Sequence, residues 1–383
     1  MPVYPLTSVR REHVMAVLTA IAGRTCRVVS EQPLGHEWAP VTRLVLDRDL
    51  PGVGSSVVVK TCRVDGDGHG GPAFLRRETA GLRTATASGV SARLVHADDA
   101  VGVVIQTDLG DWPSLQDRLL TNDPEAATAG MVELATAVGR LHASTLGRWD
   151  DHQRTLDAFG ADVDTGLLYN FDAGRWDAIE RACTELGLPA ARSARDDVVQ
   201  LLKRVNDPGA TAALAHMDLN PTNVLITDCG ACLVDFEGCR FGHPGIDAAF
   251  LHYPFPHHSN PWGLLPEAVI ESADVAYRSA LALGGADLVL HDYDQMLADG
   301  AAITLIGRIS RLPLVASSGQ SRHDSWRRRG QIVQQIRTYT QLAERAEGYS
   351  GFIGWLGKLE TAMIDRWSDA ADPAPPLFPA FAS

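Results

Sequence analysis

Apolar positions along the chain change their spacing near residue 110. Before that point short β-branched runs dominate: Ser56-Val57-Val58-Val59-Lys60-Thr61 reads as a strand, and Ala92–His96 with Val101–Gln106 read as two more. Two helical periods interrupt them. One covers about Arg10–Ala22; the other covers Pro72–Leu82, where Phe74, Leu75, Glu78 and Leu82 share a face and Pro72 suits a helix start. From Trp112 onward the helical period prevails, in Leu134–Ala143, Arg192–Asn206, Leu264–Leu283, Asp292–Leu312 and Ser325–Glu347. Within this helical half, Ala213–Ala215 is a short apolar run, and Val224–Ile226 and Ala231–Val234 flank a turn at Thr227–Gly230. These segments predict a β-hairpin. The tail Asp372–Pro376 is non-helical, and no internal repeat is found. The pattern predicts an α+β fold in two lobes: a small β-rich N-lobe over 1–110 with a hinge at about 106–110, and a larger, mostly helical C-lobe over 111–383.

At 383 residues and 45% hydrophobic content the chain can build two separate cores. No apolar stretch approaches the roughly 20 residues needed to span a bilayer, and the start lacks the charged-then-apolar order of a signal peptide, so the expected location is cytoplasmic. A net charge of −13 disfavours nucleic acid or an anionic membrane as partner and suits a cationic substrate. Nothing in the sequence sets the oligomeric state. Cys229-x-x-Cys232 and Cys239 have no fourth ligand at a zinc-site spacing, so they are expected as buried thiols in or beside the hairpin, without disulfides. His257-His258 falls in a stretch rich in Pro and aromatics that reads as a loop, and Arg327-Arg328-Arg329 reads as a solvated helix face.

The chemistry concentrates in His216-Met217-Asp218-Leu219-Asn220-Pro221-Thr222-Asn223 and in Asp235-Phe236 at the end of the hairpin. Phosphoryl transfer from a nucleotide needs Mg²⁺ on hard oxygen ligands and a carboxylate that orients the attacking hydroxyl. Asp218 and His216 are the catalytic candidates, Asn223 and Asp235 the metal ligands. Lys60 is one of only three lysines, in a chain whose other cations are arginines, and it ends a Val-Val-Val run. That placement suits a compact ammonium pairing with nucleotide phosphates, with Glu78 on the following helix as its partner. Gln106, Thr107, Asp108 and Leu109 would present hinge backbone to a base, and Gly35 is the single glycine in Pro33–Trp38, where phosphates would be cradled.

Together these segments resemble the aminoglycoside phosphotransferase and choline kinase superfamily, small-molecule relatives of the protein kinases. The resemblance spans about Cys26 to Phe250 and is sharpest over 214–250. Gly242-His243-Pro244-Gly245-Ile246-Asp247-Ala248-Ala249 is similar to the family's Gly-x-Pro-x-x-Asp-Leu-Ala stretch, and Leu134–Ala143 to its Leu-His-ending helix; no Ala-Pro-Glu activation segment is present. Met217 stands where the family usually has glycine, Glu237 where protein kinases have the glycine of Asp-Phe-Gly, and the glycine-rich loop is poor. The resemblance implies a bilobal protein-kinase-like fold, ATP or GTP with Mg²⁺, and O-phosphorylation of a small polar hydroxyl compound. An aminoglycoside or another sugar-containing antibiotic is the first choice of acceptor, as for a resistance kinase; the alternatives are an amino-sugar or other metabolite kinase and a pseudokinase binding module. Acceptor specificity would lie in helical insertions at about 111–200 and 251–370, where Asp247, Tyr253, Trp262, Glu267 and Glu271 are acidic or aromatic candidates that their spacing does not single out.

Overall fold

Thr7 caps the first helix, α1 (Ser8–Ala22), by accepting from the Arg10 N–H, and Gly23 ends it in the left-handed conformation. This is the start of a computed structural model that describes residues 6–34, 41–62, 71–159, 173–252, 263–317, 325–368, 370 and 376–382. Strands β1 (Val28–Pro33), β2 (Val41–Leu50), β3 (Gly54–Thr61), β4 (Leu94–Asp98) and β5 (Val103–Thr107) form an antiparallel sheet in the order β1-β2-β3-β5-β4, with α2 (Pro72–Ala85) between β3 and β4. Alternation along the strands divides the sheet's two faces. Val57, Val59, Val103 and Ile105 pack with Val14 and Leu18 of α1, whereas Val104 joins Leu75 and Leu82 of α2 in the large core of the rest of the chain. Lys60, opposite Val104, therefore faces away from α1.

The remainder is mostly helical. It runs through α3 (Leu115–Leu119), α4 (Pro124–Thr145), α5 (Trp149–Asp157), α6 (Ala173–Glu185) and α7 (Arg195–Asn206) into four short strands, β6 (Ala213–Ala215), β7 (Val224–Thr227), β8 (Gly230–Leu233) and β9 (Arg240–Gly242). Then follow α8 (Gly245–Phe250), α9 (Glu267–Leu283), α10 (Asp287–His291), α11 (Tyr293–Ile309), α12 (Leu312–Ser317), α13 (Ser325–Ala343) and α14 (Ser350–Arg366). This is the expected α+β, bilobal protein-kinase-like architecture: a β-rich N-terminal part and a larger helical one. No described helix is long and apolar enough to cross a membrane.

Several expectations are corrected in detail. β5 runs through Thr107, so the connecting segment begins at Asp108 and not at Gln106. The pairing of β6 with β9 and the helix α14 carry no counterpart in the sequence reading. Cys229, expected buried, is exposed because it occupies the two-residue turn of the β7–β8 hairpin; Cys232 is half-buried, Cys239 is buried, and all six cysteines are free thiols. Arg329 is not simply solvated: it donates to the Val315 carbonyl at 3.0 Å and lies 4.8 Å over the Trp367 ring. Gly35, Tyr253, His257, His258, Trp262 and Asp372–Pro375 lie outside the described residues, as do the side chains of Arg327 and Arg328.

One glycine contact decides how α8 sits. A β-carbon on Gly300 of α11 would overlap the Gly245 carbonyl, so the backbones of α8 and α11 touch with no side chain between them. Gly300→Ala is expected to cost about 1–3 kcal/mol through overpacking, read as a lower urea midpoint with an unchanged slope.

Candidate active site

The loop after β6 is built from the backbone outward. β6 pairs with β9 and its Leu214 N–H donates to the Thr145 hydroxyl at 3.0 Å, which fixes the strand against α4. The chain then turns at Met217, whose φ of 71° is left-handed. An L-residue resists that conformation, and two hydrogen bonds hold it there. The fully buried Asp247 of α8 accepts the His216 N–H at 2.5 Å on Oδ2 and the Met217 N–H at 2.9 Å on Oδ1. His142 Nε2 donates to the same carboxylate at 3.3 Å, and the Tyr277 hydroxyl donates to His142 Nδ1 at 2.8 Å. Asp247, named among the acceptor candidates, is thus the anchor of the loop, and His142 closes the Leu-His helix motif onto it.

Past the turn, Asp218 is half-buried and Asn223 Nδ2 donates to both its carbonyl and its Oδ2 at 3.1 Å. The His216 side chain is turned inward. Its ring is buried against Phe236, with Nε2 donating to the Val234 carbonyl at 3.0 Å and Nδ1 accepting the Asp218 N–H at 3.4 Å. These contacts tie the loop to the end of the strand.

The hairpin brings the metal candidates together. β7 and β8 are in register from Val224↔Leu233 to Thr227↔Gly230, and the Val234 N–H donates to the Asn223 carbonyl at 2.9 Å, so Asp235 follows directly on a residue bonded to Asn223. The hairpin is held from both sides, by Leu233 N–H to Val90 at 2.7 Å and Ile226 N–H to Pro113 at 2.9 Å. Asp235 itself is left-handed, with φ 68°.

Lys60 stands opposite. Its ammonium bonds Glu78 at 2.8 Å, Glu237 at 2.9 Å, and Asp235. The expected Lys60–Glu78 pair is present, and two further carboxylates join it. Glu78, Asp235 and Glu237 offer ligand oxygens that all lie within 4.8 Å of one another. Glu237 is the residue the sequence reading passed over; the signal was a carboxylate in place of a glycine two positions after Asp235. α2 lies close to this turn: a β-carbon on Gly81 would sit 2.5 Å from Cys239 Sγ and 3.1 Å from Phe236 Cβ, and Arg77 donates to the Glu237 carbonyl at 2.9 Å.

The connecting segment is pinned by Arg43 of β2. Its guanidinium pairs with Asp108 at 2.7 Å and Asp111 at 3.1 Å and donates to the Gly110 carbonyl at 2.9 Å, while Ser56 donates to Asp108 at 2.7 Å. Burial alone would raise the Asp108 carboxyl, but the Gly110 N–H, Ser56 and Arg43 together hold it below the ordinary carboxylate range. Gln106 lies within β5 opposite Val58 and Leu94. The Thr107 N–H is taken by the Arg93 carbonyl at 2.9 Å, and the Leu109 carbonyl accepts from the Trp112 indole at 2.7 Å.

The sequence profile of the phosphotransferase enzyme family (APH) matches residues 30–283, which hold every element of this cleft. The chain belongs to this family. Among solved structures, the phosphotransferase is similar to a protein assigned as an aminoglycoside phosphotransferase from Ralstonia eutropha, at 15% identity over 88% of this chain and 99% of that one, with a TM-score of 0.53. It is also similar to a protein assigned as a fructosamine-3-kinase from Thermobifida fusca (18% identity, 86% and 98% covered, TM-score 0.47) and to a choline kinase from Cryptosporidium parvum (13%, 91% and 99%, 0.47). At these identities the likeness is one of fold. No curated protein sequence matches the chain.

In this phosphotransferase the charge cluster has a measurable signature. Burial, opposed by Lys60 and reinforced by Asp235 and Glu237, pushes the Glu78 carboxyl up to about 7. Lys60 is raised in turn: burial alone would lower it, but three carboxylates favour the ammonium. The folded chain holds the Glu78 proton more tightly than the unfolded chain does. That contribution to stability is therefore complete below the ordinary Glu range and is lost as pH rises through the folded value. Relative to Glu78→Gln, the nucleotide-free protein is expected to lose stability between about pH 5 and pH 8, measured as urea midpoints at each pH. Parallel curves for the two proteins would show that Glu78 is ionised throughout.

Proposed function

We propose that this phosphotransferase transfers the γ-phosphoryl group of ATP, or of GTP, to a hydroxyl of a small polar molecule by direct in-line displacement. The observation that carries the reading is the convergence of Lys60, Glu78, Asp235 and Glu237 beside the loop that bears Asp218 and Asn223. Asp218 orients the acceptor hydroxyl and takes its proton. Lys60, held by Glu78, grips phosphate oxygens. The segment after β5 receives the base, which sets the boundary of the smaller lobe near residue 110.

The residues fit a divalent cation. Three carboxylates surround one ammonium, leaving an excess of negative charge on hard oxygens. Asn223 has its amide nitrogen engaged by Asp218, which leaves its oxygen as a donor. Asp235, with 36% of its side chain exposed, and Asn223 would hold Mg²⁺, which when bound neutralises charge developing on the phosphates. For the acceptor we favour an aminoglycoside or another sugar-containing antibiotic, because the net charge of −13 suits a cationic ligand. An amino sugar or another metabolite is the next candidate.

A panel of aminoglycosides, other sugar-containing antibiotics and amino sugars, assayed for acceptor-dependent ADP or GDP release, tests this. Turnover with one class assigns the acceptor. Turnover with none, together with no thermal stabilisation by Mg²⁺ and nucleotide, would overturn the kinase reading in favour of a binding module.

A further inference from the structure

On the far side of the sheet from Lys60, two histidines and an aspartate meet between α1 and the edge strand β4. The bulge in β4 brings them there. Leu94 pairs with Gln106 on the cleft face, and the register shift at Val95 puts His96 opposite Ile105 and Asp98 opposite Val103, on the face covered by α1. His13 descends from α1 one turn after Arg10, whose guanidinium docks the helix on the carbonyls of Val101, at 3.1 Å, and Cys62, at 2.5 Å. Asp98 is fixed as well: its Oδ1 accepts the Val101 N–H at 3.1 Å, which leaves Oδ2 facing His13 Nε2 at 3.4 Å. The two imidazole rings lie with centroids 5.7 Å apart.

A second observation points to a ligand. His13 Nε2 and His96 Nε2 are both shielded from solvent, and among the described residues neither makes a hydrogen bond. A polar atom shielded in this way costs free energy until something satisfies it, and two such imidazole nitrogens in a cluster with a carboxylate ask for a cation. One ligand atom from each of His13, His96 and Asp98 lies within 4.8 Å of the other two. In a tetrahedral zinc site with bonds of about 2 Å, ligand atoms sit about 3.4 Å apart; the His13–Asp98 edge is at that length, and the other two edges are no longer than 4.8 Å.

We infer that His13, His96 and Asp98 form a binding site for one divalent transition-metal cation of the zinc class, which staples α1 to the sheet edge. Two imidazoles and one carboxylate are the ligand set such an ion takes, with a fourth position left to water. The site is separate from the Asp235 cluster, whose all-oxygen donors suit a harder ion.

The test uses the full-length chain without a histidine tag, stripped with chelator, in a Cys229→Ser/Cys232→Ser background that removes the hairpin thiols. Zn²⁺ is titrated in competition with a chromophoric chelator, and Co²⁺ is followed by its visible absorption. One equivalent per chain is expected, with a Co²⁺ d–d band and no thiolate charge-transfer band, and a thermal midpoint that rises with Zn²⁺ concentration. His96→Gln and His13→Gln, on separate elements, are each expected to weaken binding by more than about tenfold, the least loss seen when even an outer partner of a metal ligand is removed. Asp235→Asn should leave binding unchanged. Absence of uptake, uptake unaffected by both histidine substitutions, or loss of uptake in Asp235→Asn would each overturn the assignment. None of these results depends on turnover, so they stand whatever the acceptor panel shows.

Discussion

Asp218→Asn is expected to lower kcat by about 10²–10⁴-fold, the range typical of removing a positioned general base, while thermal stability and nucleotide affinity stay near those of the parent. The amide keeps the shape of the carboxylate and can still meet the Asn223 side chain, which now donates to Asp218 Oδ2 at 3.1 Å. What it loses is the ability to accept a proton. The loop itself is held by Asp247 and His216, neither of which the substitution touches, so a loss of activity could not be ascribed to collapse of the loop. Steady-state kinetics at saturating nucleotide, with circular dichroism of the same preparation, make the check. Near-normal kcat would remove Asp218 from the chemistry.

Asp235→Asn should separate activity from stability more sharply still. Loss of the carboxylate proposed to hold the metal is expected to lower kcat by more than about 10³-fold and to abolish stabilisation by Mg²⁺ and nucleotide. The nucleotide-free protein should not suffer. Asp235 is one of three carboxylates around a single ammonium, so neutralising it relieves like-charge repulsion with Glu78 and Glu237. Asparagine also accepts the left-handed backbone that Asp235 adopts, so the substitution adds no strain there. A midpoint equal to or above that of the parent, with turnover gone, is the expected pair of results from a thermal melt and an activity assay. A large drop in the apo midpoint would mean that Asp235 serves the fold before it serves the phosphate.

Local pattern carried much of this architecture. The Val-Val-Val-Lys run, the hairpin and most of the long helices were legible because each follows its own period, with ends that shifted by only a few residues; α4 is the exception, starting at Pro124 where the pattern is read only from Leu134. The helix α14 was illegible for a local reason: Gly351, Gly354 and Gly357 lower its intrinsic propensity, and the burial of Phe352, Trp355, Leu356 and Leu359 compensates only in the folded chain. β6 and β9 are three residues each and find one another across the whole hairpin, a pairing that no window of sequence can show. The site divides the same way. Lys60 with Glu78 could be read from strand and helix, whereas His216 and Asp247 owe their positions to neighbours far along the chain, which no local pattern shows.

Met217 occupies backbone space in which glycine would be at ease, and its side chain packs against the large core. The bend before Asp218 is consequently imposed from outside and not permitted from within. Its shape is stored in a carboxylate one helix away, so a chain without Asp247 would hold the bend more readily with glycine at position 217 than with methionine.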